Sequence, residues 1–310
     1  MRRSPAPRTA PTVGSSWWGS ALLVLGVAAC GGDRAAPPQA GSPASPIQVA
    51  VAVPPLAWLV EAVGGDSVTT TIMVPAGTSH HGFEPAPRQL FALETAGLYV
   101  GVGHPAFLAE SEALGPTLAR RGVPLVTLTD AALATAAQVP PDDPHLWLSP
   151  PVMEATAEWV AAALSRMDAA GADSRAHRLA ATRAEIDRVD REVRQRLAPH
   201  SGRAFLVYHP AWGAMAARYG LEQLAIESEG REPAPRQLVS LLDRARREGI
   251  TTIFVQEGFS DRGARVLAAE LGGRVVPLDP LPRDWPAGMR RTAEAIAASL
   301  GSAPTGAPSP

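Results

Sequence analysis

Glu84-Pro85-Ala86-Pro87-Arg88-Gln89-Leu90 reads EPAPRQL, and Glu232-Pro233-Ala234-Pro235-Arg236-Gln237-Leu238 reads EPAPRQL again. A seven-residue identity is improbable by chance in 310 residues, even where Ala, Pro and Arg abound. The flanks match in kind. Before the first copy lies an apolar β-type run at residues 69–74, then a loop bearing Gly and His. After it come a helical pattern and a strand at 98–102. Before the second copy lie a strand at 222–226 and a loop at 227–231. After it come a helix at 237–247 and a strand at 251–255. Internal repetition of this kind outranks local signals, because it fixes the architecture. It implies two lobes built to one plan, each alternating strand and helix.

The remaining strands complete four per lobe. Those of the first fall at 47–53, 69–74, 98–102 and 125–128; those of the second at 204–208, 222–226, 251–255 and 274–278. Near-continuous apolar runs such as 47–53 suit strands buried on both faces of a parallel sheet. The expected fold is therefore α/β, two similar lobes each with a four-stranded parallel sheet flanked by helices. Between them a helical pattern at 172–197 keeps Leu179, Ile186, Val189, Val193 and Leu197 to a narrow stripe. At about 1.5 Å per residue it would reach roughly 35–40 Å. A long, mostly polar helix between similar halves reads as a connecting strut. Its arginines Arg175, Arg178, Arg183, Arg188, Arg191 and Arg194 are balanced by Glu185, Asp187, Asp190 and Glu192, which reads as a solvated face.

Composition narrows the function. The length suits two domains with their own cores. Net charge is −2, 46% of residues are hydrophobic and 19% charged, with no basic face of the sort nucleic-acid binding requires. The N-terminus is more specific. Arg2, Arg3 and Arg8 precede an apolar run at 17–29, too short to span a membrane comfortably, and it ends Val27-Ala28-Ala29-Cys30. Cys30 is the sole cysteine, so it has no internal disulfide partner. Two readings fit: a lipoprotein signal whose cysteine is lipidated, or an ordinary secretory signal ending at an incidental Cys. The small residues ahead of Cys30 favour the first. The expected organisation is a signal peptide at 1–29, the lipidated Cys and flexible linker at 30–46, an N-terminal lobe at 47–171, the connecting helix at 172–198, a C-terminal lobe at 199–300 and a disordered tail at 301–310.

Open parallel sheets bind ligands outside the carboxyl ends of their strands. His80 and His81 follow the second strand, His104 the third, His145 the fourth, His209 the first strand of the second lobe, and Asp279 its last. Singly, a loop histidine is commonly a solvent-exposed or capping residue. Jointly, several imidazoles and a carboxylate at equivalent strand ends point to a metal site between the lobes. Three His and one Asp would make a closed tetrahedral set suited to Zn²⁺.

At this point the chain resembles a known family, the metal-binding lipoproteins that serve ABC importers of zinc and manganese. His81-Gly82-Phe83-Glu84-Pro85 is similar to its H-x-aromatic-E-P ligand loop, and Asp143-Pro144-His145-Leu146-Trp147 to its DPH-x-W motif. His209-Pro210-Ala211-Trp212-Gly213 with Tyr219-Gly220-Leu221 resembles the third ligand region, and residues 276–281 the terminal aspartate motif. These matches run over nearly the whole mature chain. The resemblance implies two lobes joined by one rigid helix, holding a metal ion between them and handing it to a membrane permease. It assigns His81, His145, His209 and Asp279 as ligands, and Cys30 as the lipid anchor of an extracytoplasmic, monomeric protein. Histidine at the third position points to Zn²⁺; manganese-selective members tend to carry a carboxylate there, and oxygen-rich sets suit Mn²⁺. His80 adjoins His81 but lacks its spacing to Glu84, and His104 matches no ligand position. The long His- and acid-rich loop of some zinc-specific members is absent.

The rival from another class is a zinc hydrolase, with three protein ligands, an open position for water and a nearby general base. Glu84 could be that base by proximity to His81, but before Pro85 at a helix start it reads as a cap. Asp279 as fourth ligand would displace the water. Gln256 and Glu257, past the strand at 251–255, are candidates to orient a ligand imidazole. Trp58, Trp147, Trp159 and Trp212 read as packing residues.

Overall fold

Residues 85–90 and 233–238, the parts of the repeat described in both copies, follow the second strands of two sheets of the same topology. The computed structural model describes residues 45–78, 83–135, 137–227 and 233–301. In the first lobe β1 (Ile47–Val51), β2 (Val68–Ile72), β3 (Leu98–Gly101) and β4 (Leu125–Thr127) stand in the order β2-β1-β3-β4, all parallel. In the second, β5 (Ala204–Val207), β6 (Glu222–Ala225), β7 (Thr252–Gln256) and β8 (Arg274–Leu278) stand in the order β6-β5-β7-β8, again all parallel.

Helix α1 (Pro54–Gly64) follows β1, α2 (Pro87–Thr95) leads from β2 to β3, and a π turn at Ala109–Leu114 with α3 (Gly115–Arg121) leads on to β4. Then come α4 (Leu128–Thr135), α5 (Pro150–Met167) and α6 (Ala172–Leu197). In the second lobe α7 (Gly213–Tyr219), α8 (Pro235–Arg247) and α9 (Arg262–Glu270) connect the strands, and α10 (Trp285–Leu300) closes the chain. The repeated heptapeptide opens α2 and α8. Its second proline takes the first helical position, where a missing N–H costs nothing. The cap comes from the glutamine and not, as the sequence suggested, from Glu84. Gln89 Oε1 accepts from the Ala86 N–H at 2.8 Å, and Gln237 Oε1 from the Ala234 N–H at 3.1 Å. Gln89 is buried and also donates to the Ile72 carbonyl at 3.2 Å, fastening the chain that leaves β2.

Two further expectations need correction. Residues 129–143 carry no clear helical pattern and read as a loop on the sequence alone, but α4 occupies their start. Thr127 Oγ1 accepts from the Asp130 N–H and donates to its carboxylate at 2.6 Å, a side-chain nucleus that apolar periodicity does not reveal. And Arg175 does not belong to the solvated face of α6: it is 1% exposed. Its guanidinium bonds Asp168 Oδ2 at 2.9 Å, the Asp168 carbonyl, and Ser165 Oγ at 3.2 Å. The C-terminus of α5 supplies that pocket, so each guanidinium nitrogen meets an acceptor where it is buried.

Helix α6 is more than a strut. Ile186, Val189, Val193 and Leu197 are buried in one core that runs from the first lobe through α5, α7 and α10 to one face of the second sheet, where Phe205, Val207 and Phe254 point. The opposite face, through Leu206, Ile253 and Val255, makes a smaller core with α8 and α9. The alternation along β5 and β7 is the period-two rule dividing side chains between two cores.

Where α6 meets α7, Asp190 accepts a two-pronged bond from Arg218 at 2.7 and 2.6 Å and one from Tyr219 Oη at 2.9 Å, tying the two helices together. Burial pushes the Asp190 carboxyl up, but the Arg218 and Tyr219 hydrogen bonds and the charges of Arg218 and Arg194 outweigh it, and its pKa lies below the usual carboxylate value. A depressed folded pKa contributes stability that is full above the unfolded value, about 3.9, and lost as pH falls through the folded one. Asp190→Asn is therefore expected to lower stability by about 1–3 kcal/mol at pH 7, with the difference narrowing in strong acid. Urea unfolding of both proteins at pH 7 and pH 3 measures it; a pH-independent gap would rule out the ionic origin.

Candidate metal centre

With strand order β6-β5-β7-β8, β5 and β7 send their connections to opposite sides, which opens a crevice at their carboxyl ends. His209 stands there, two residues past β5. Its neighbour Tyr208 is pinned by N–H to Phe254 carbonyl, 2.7 Å, and the Glu227 N–H reaches the Tyr208 carbonyl at 2.9 Å. The β5–β6 register therefore delivers Glu227 to His209, and Nδ1 of the ring meets Glu227 Oε1 at 2.6 Å. A cleft of about 520 Å³, lined by Tyr208, His209, Glu227, Gln256 and Phe259 among others, opens beside this pair.

His145 arrives by a different route. It lies not at a strand end but beyond α4, at the head of a 3₁₀ turn, Leu146–Leu148, and it is 3% exposed. Asp143 Oδ1 accepts from both the His145 backbone N–H, at 2.9 Å, and its Nδ1, at 2.7 Å. Trp147 packs edge-on against the imidazole with ring centroids 5.3 Å apart. The indole N–H of Trp147 donates to the Pro280 carbonyl at 2.6 Å, and that of Trp285 to the Trp147 carbonyl at 2.7 Å. Trp285 in turn stacks on Trp58, as packing residues should.

The two imidazoles meet across the lobes. The His145 and His209 centroids are 5.4 Å apart with the planes at 79°. In each, a carboxylate at Nδ1 can only accept, which places the ring proton on Nδ1 and the lone pair on Nε2. Metal binding by either ring then falls to Nε2, with the carboxylate fixing ring orientation and raising basicity.

Asp279 follows β8 in a turn closed by its own Oδ1, which accepts from the Leu281 N–H at 2.8 Å. The bond from Trp147 to the Pro280 carbonyl ties this turn to the His145 loop. Burial raises the Asp279 pKa, and so does the charge of Glu257; the Leu281 N–H and Arg291 act in the other direction without cancelling them. Glu257 therefore bears on Asp279 electrostatically, while the imidazoles are oriented by Asp143 and Glu227, which sequence reasoning missed. Asp143 had a signal, its place two residues before a histidine. Glu227 had none short of strand register.

His104 is committed elsewhere: Nδ1 accepts from the Ala106 N–H at 3.2 Å, so Nε2 carries the proton, and it meets the Pro141 carbonyl at 2.9 Å. His80 and His81 lie outside the described residues, as do Cys30 and the signal segment. The loop that leads to them does touch the second lobe. A Cβ on Gly258, at φ 87°, would stand 3.1 Å from the Cα of Gly77, at φ 75°. Among the described residues no three His, Cys, Asp or Glu side chains converge to hold an ion, and no helix is long and apolar enough to cross a membrane.

Comparison with known proteins bears on the family and the fold. Residues 49–299 match the family described as "Zinc-uptake complex component A periplasmic". The high-affinity zinc uptake system protein ZnuA of Bacillus subtilis is 23% identical over 280 residues, covering 84% of this chain and 86% of that protein. The crystal structure of a zinc-bound ZnuA lacking its residues 138–173 superposes with a TM-score of 0.76 at 34% identity, over 84% of this chain and 100% of that one. The periplasmic zinc-binding protein TroA of Treponema pallidum shares the fold, with a TM-score of 0.72 at 17% identity, over 82% of this chain and 99% of that one.

Proposed function

This chain belongs to the family of periplasmic zinc-uptake component A proteins, and on that premise we propose that it captures Zn²⁺ outside the cytoplasm and delivers it to the permease of an ABC importer. The ligands are His81, His145, His209 and Asp279. Cys30 carries the lipid that keeps the monomeric protein at the membrane. The observation that carries this reading is the crossed pair of imidazoles, one from each lobe, each with its Nδ1 on a carboxylate. Neutral, oriented imidazoles are what Zn²⁺ takes readily and what Mn²⁺, which prefers oxygen, takes poorly. Delivery to a permease rests on the family's transport role.

Titration calorimetry tests both the site and the metal. Protein beginning at Gly31, stripped with chelator, is expected to bind one Zn²⁺ per chain and to prefer it to Mn²⁺ by several orders of magnitude. Tight Mn²⁺ with weak Zn²⁺ would overturn the zinc assignment, and no tight metal at all would overturn the capture role.

A further inference from the structure

The carboxylate that orients His145 is also bound by the opposite lobe. While Asp143 Oδ1 takes the two N–H groups of His145, Asp143 Oδ2 accepts from the Ala214 N–H in the first turn of α7, at 2.9 Å. Asp143 is buried, so little water is at hand to replace that donor. The contact depends on Gly213. A Cβ there would stand 2.6 Å from Asp143 Oδ2 and 3.2 Å from Pro140 Cγ. Gly213 is the first residue of α7 and has no left-handed φ, so its backbone does not call for glycine; the close approach of Asp143 does.

We propose that Asp143 is a positioning residue that couples the apposition of the lobes to the metal affinity of His145. This rests on the zinc-binding reading above. With the Ala214 N–H in place, the carboxylate is held at both oxygens, and the imidazole has one orientation and one tautomer. When α7 withdraws, one oxygen loses its donor, the carboxylate is free to turn, and His145 is no longer fixed. Affinity gained on apposition must equal apposition gained on binding, because coupling between the two is reciprocal. A metal held by His145 and His209 would thus tighten the Asp143–Ala214 bond without touching it.

Gly213→Ala removes the close approach without altering any residue that faces the metal, and alanine is the better helix former. Its zinc affinity is expected to fall about tenfold, the scale of outer-sphere effects on metal sites. The loss should appear in the dissociation rate, measured by stopped-flow chelator competition, with association little changed. The visible bands of bound Co²⁺ should shift, because His145 is reoriented, while the metal-free protein stays folded and melts only a few degrees lower, the cost of a buried Ala214 N–H that has lost its acceptor. Asp143→Asn is the second test. Its amide oxygen still serves His145, but its NH₂ would face the Ala214 N–H donor to donor, so it should also speed zinc release. Wild-type release rates and Co²⁺ bands in both variants would overturn the coupling alone. A wild-type chain that binds no zinc would overturn the functional reading beneath it.

Discussion

His209→Ala is expected to weaken Zn²⁺ binding by roughly 100- to 1,000-fold and to leave the metal-free protein's melting temperature nearly unchanged. Four-ligand zinc sites in peptides contribute about 10–16 kcal/mol, so one ligand is worth roughly 2.5–4 kcal/mol, and each 1.4 kcal/mol is tenfold. The fold should tolerate the change. The side chain of His209 is 14% exposed at the cleft, and the turn it begins is closed by backbone, the Ala211 N–H to the His209 carbonyl at 2.9 Å. Glu227 loses its partner, but it too is partly exposed and can find water. Competition against a chromogenic chelator measures the affinity, and melting followed by circular dichroism measures the fold. Unchanged zinc affinity would remove His209 from the ligand set. A collapse of the apo protein would show that the residue is structural.

That this residue could be singled out from sequence, and its orienting partner could not, follows from the range of each signal. The duplicated EPAPRQL, the alternation of apolar runs with helical patterns, and histidines beside them are local, so they survive in a one-dimensional reading. The pairing of His209 with Glu227 joins residues 18 apart through the register of β5 on β6, which only the folded sheet sets. His145 was legible from its motif, yet its route past α4 was not, because the Thr127–Asp130 nucleus competes with a loop on equal terms until packing decides. Arg175 shows the same limit in reverse. Its position on α6 reads as surface, and the pocket that buries it comes from the end of α5. Tertiary partners, more than local propensity, determine which polar groups go inside.

The same logic gives Asp279→Asn two opposite effects, whose sign depends on metal. Without metal, the Asp279 carboxylate is half-buried and faces the like charge of Glu257, and both raise its pKa. A folded-state pKa above the unfolded value means the native protein holds the proton more tightly. This group therefore favours folding as pH falls through the raised value, and its ionised form opposes folding at neutral pH. Asparagine removes the charge and keeps the oxygen that accepts from the Leu281 N–H. The metal-free variant is accordingly expected to melt higher than wild type at pH 7, with the gap closing toward pH 4 as the wild-type carboxyl takes up its proton. With zinc the order should reverse. A divalent ion turns the unfavourable pair of carboxylates into a favourable one, and a ligand at 100 times its Kd adds about 2.7 kcal/mol to stability. The variant, with zinc affinity lower by about 100-fold, would miss most of that gain. Melting curves of both proteins at pH 7, with and without a small excess of Zn²⁺, should therefore cross in rank. If the variant is the more stable in both, Asp279 carries no metal and the site closes without it. If it is the less stable in both, the carboxylate holds its turn through bonds that asparagine cannot replace. Crossing is the signature of a residue whose charge disfavours the empty protein and holds the metal in the loaded one.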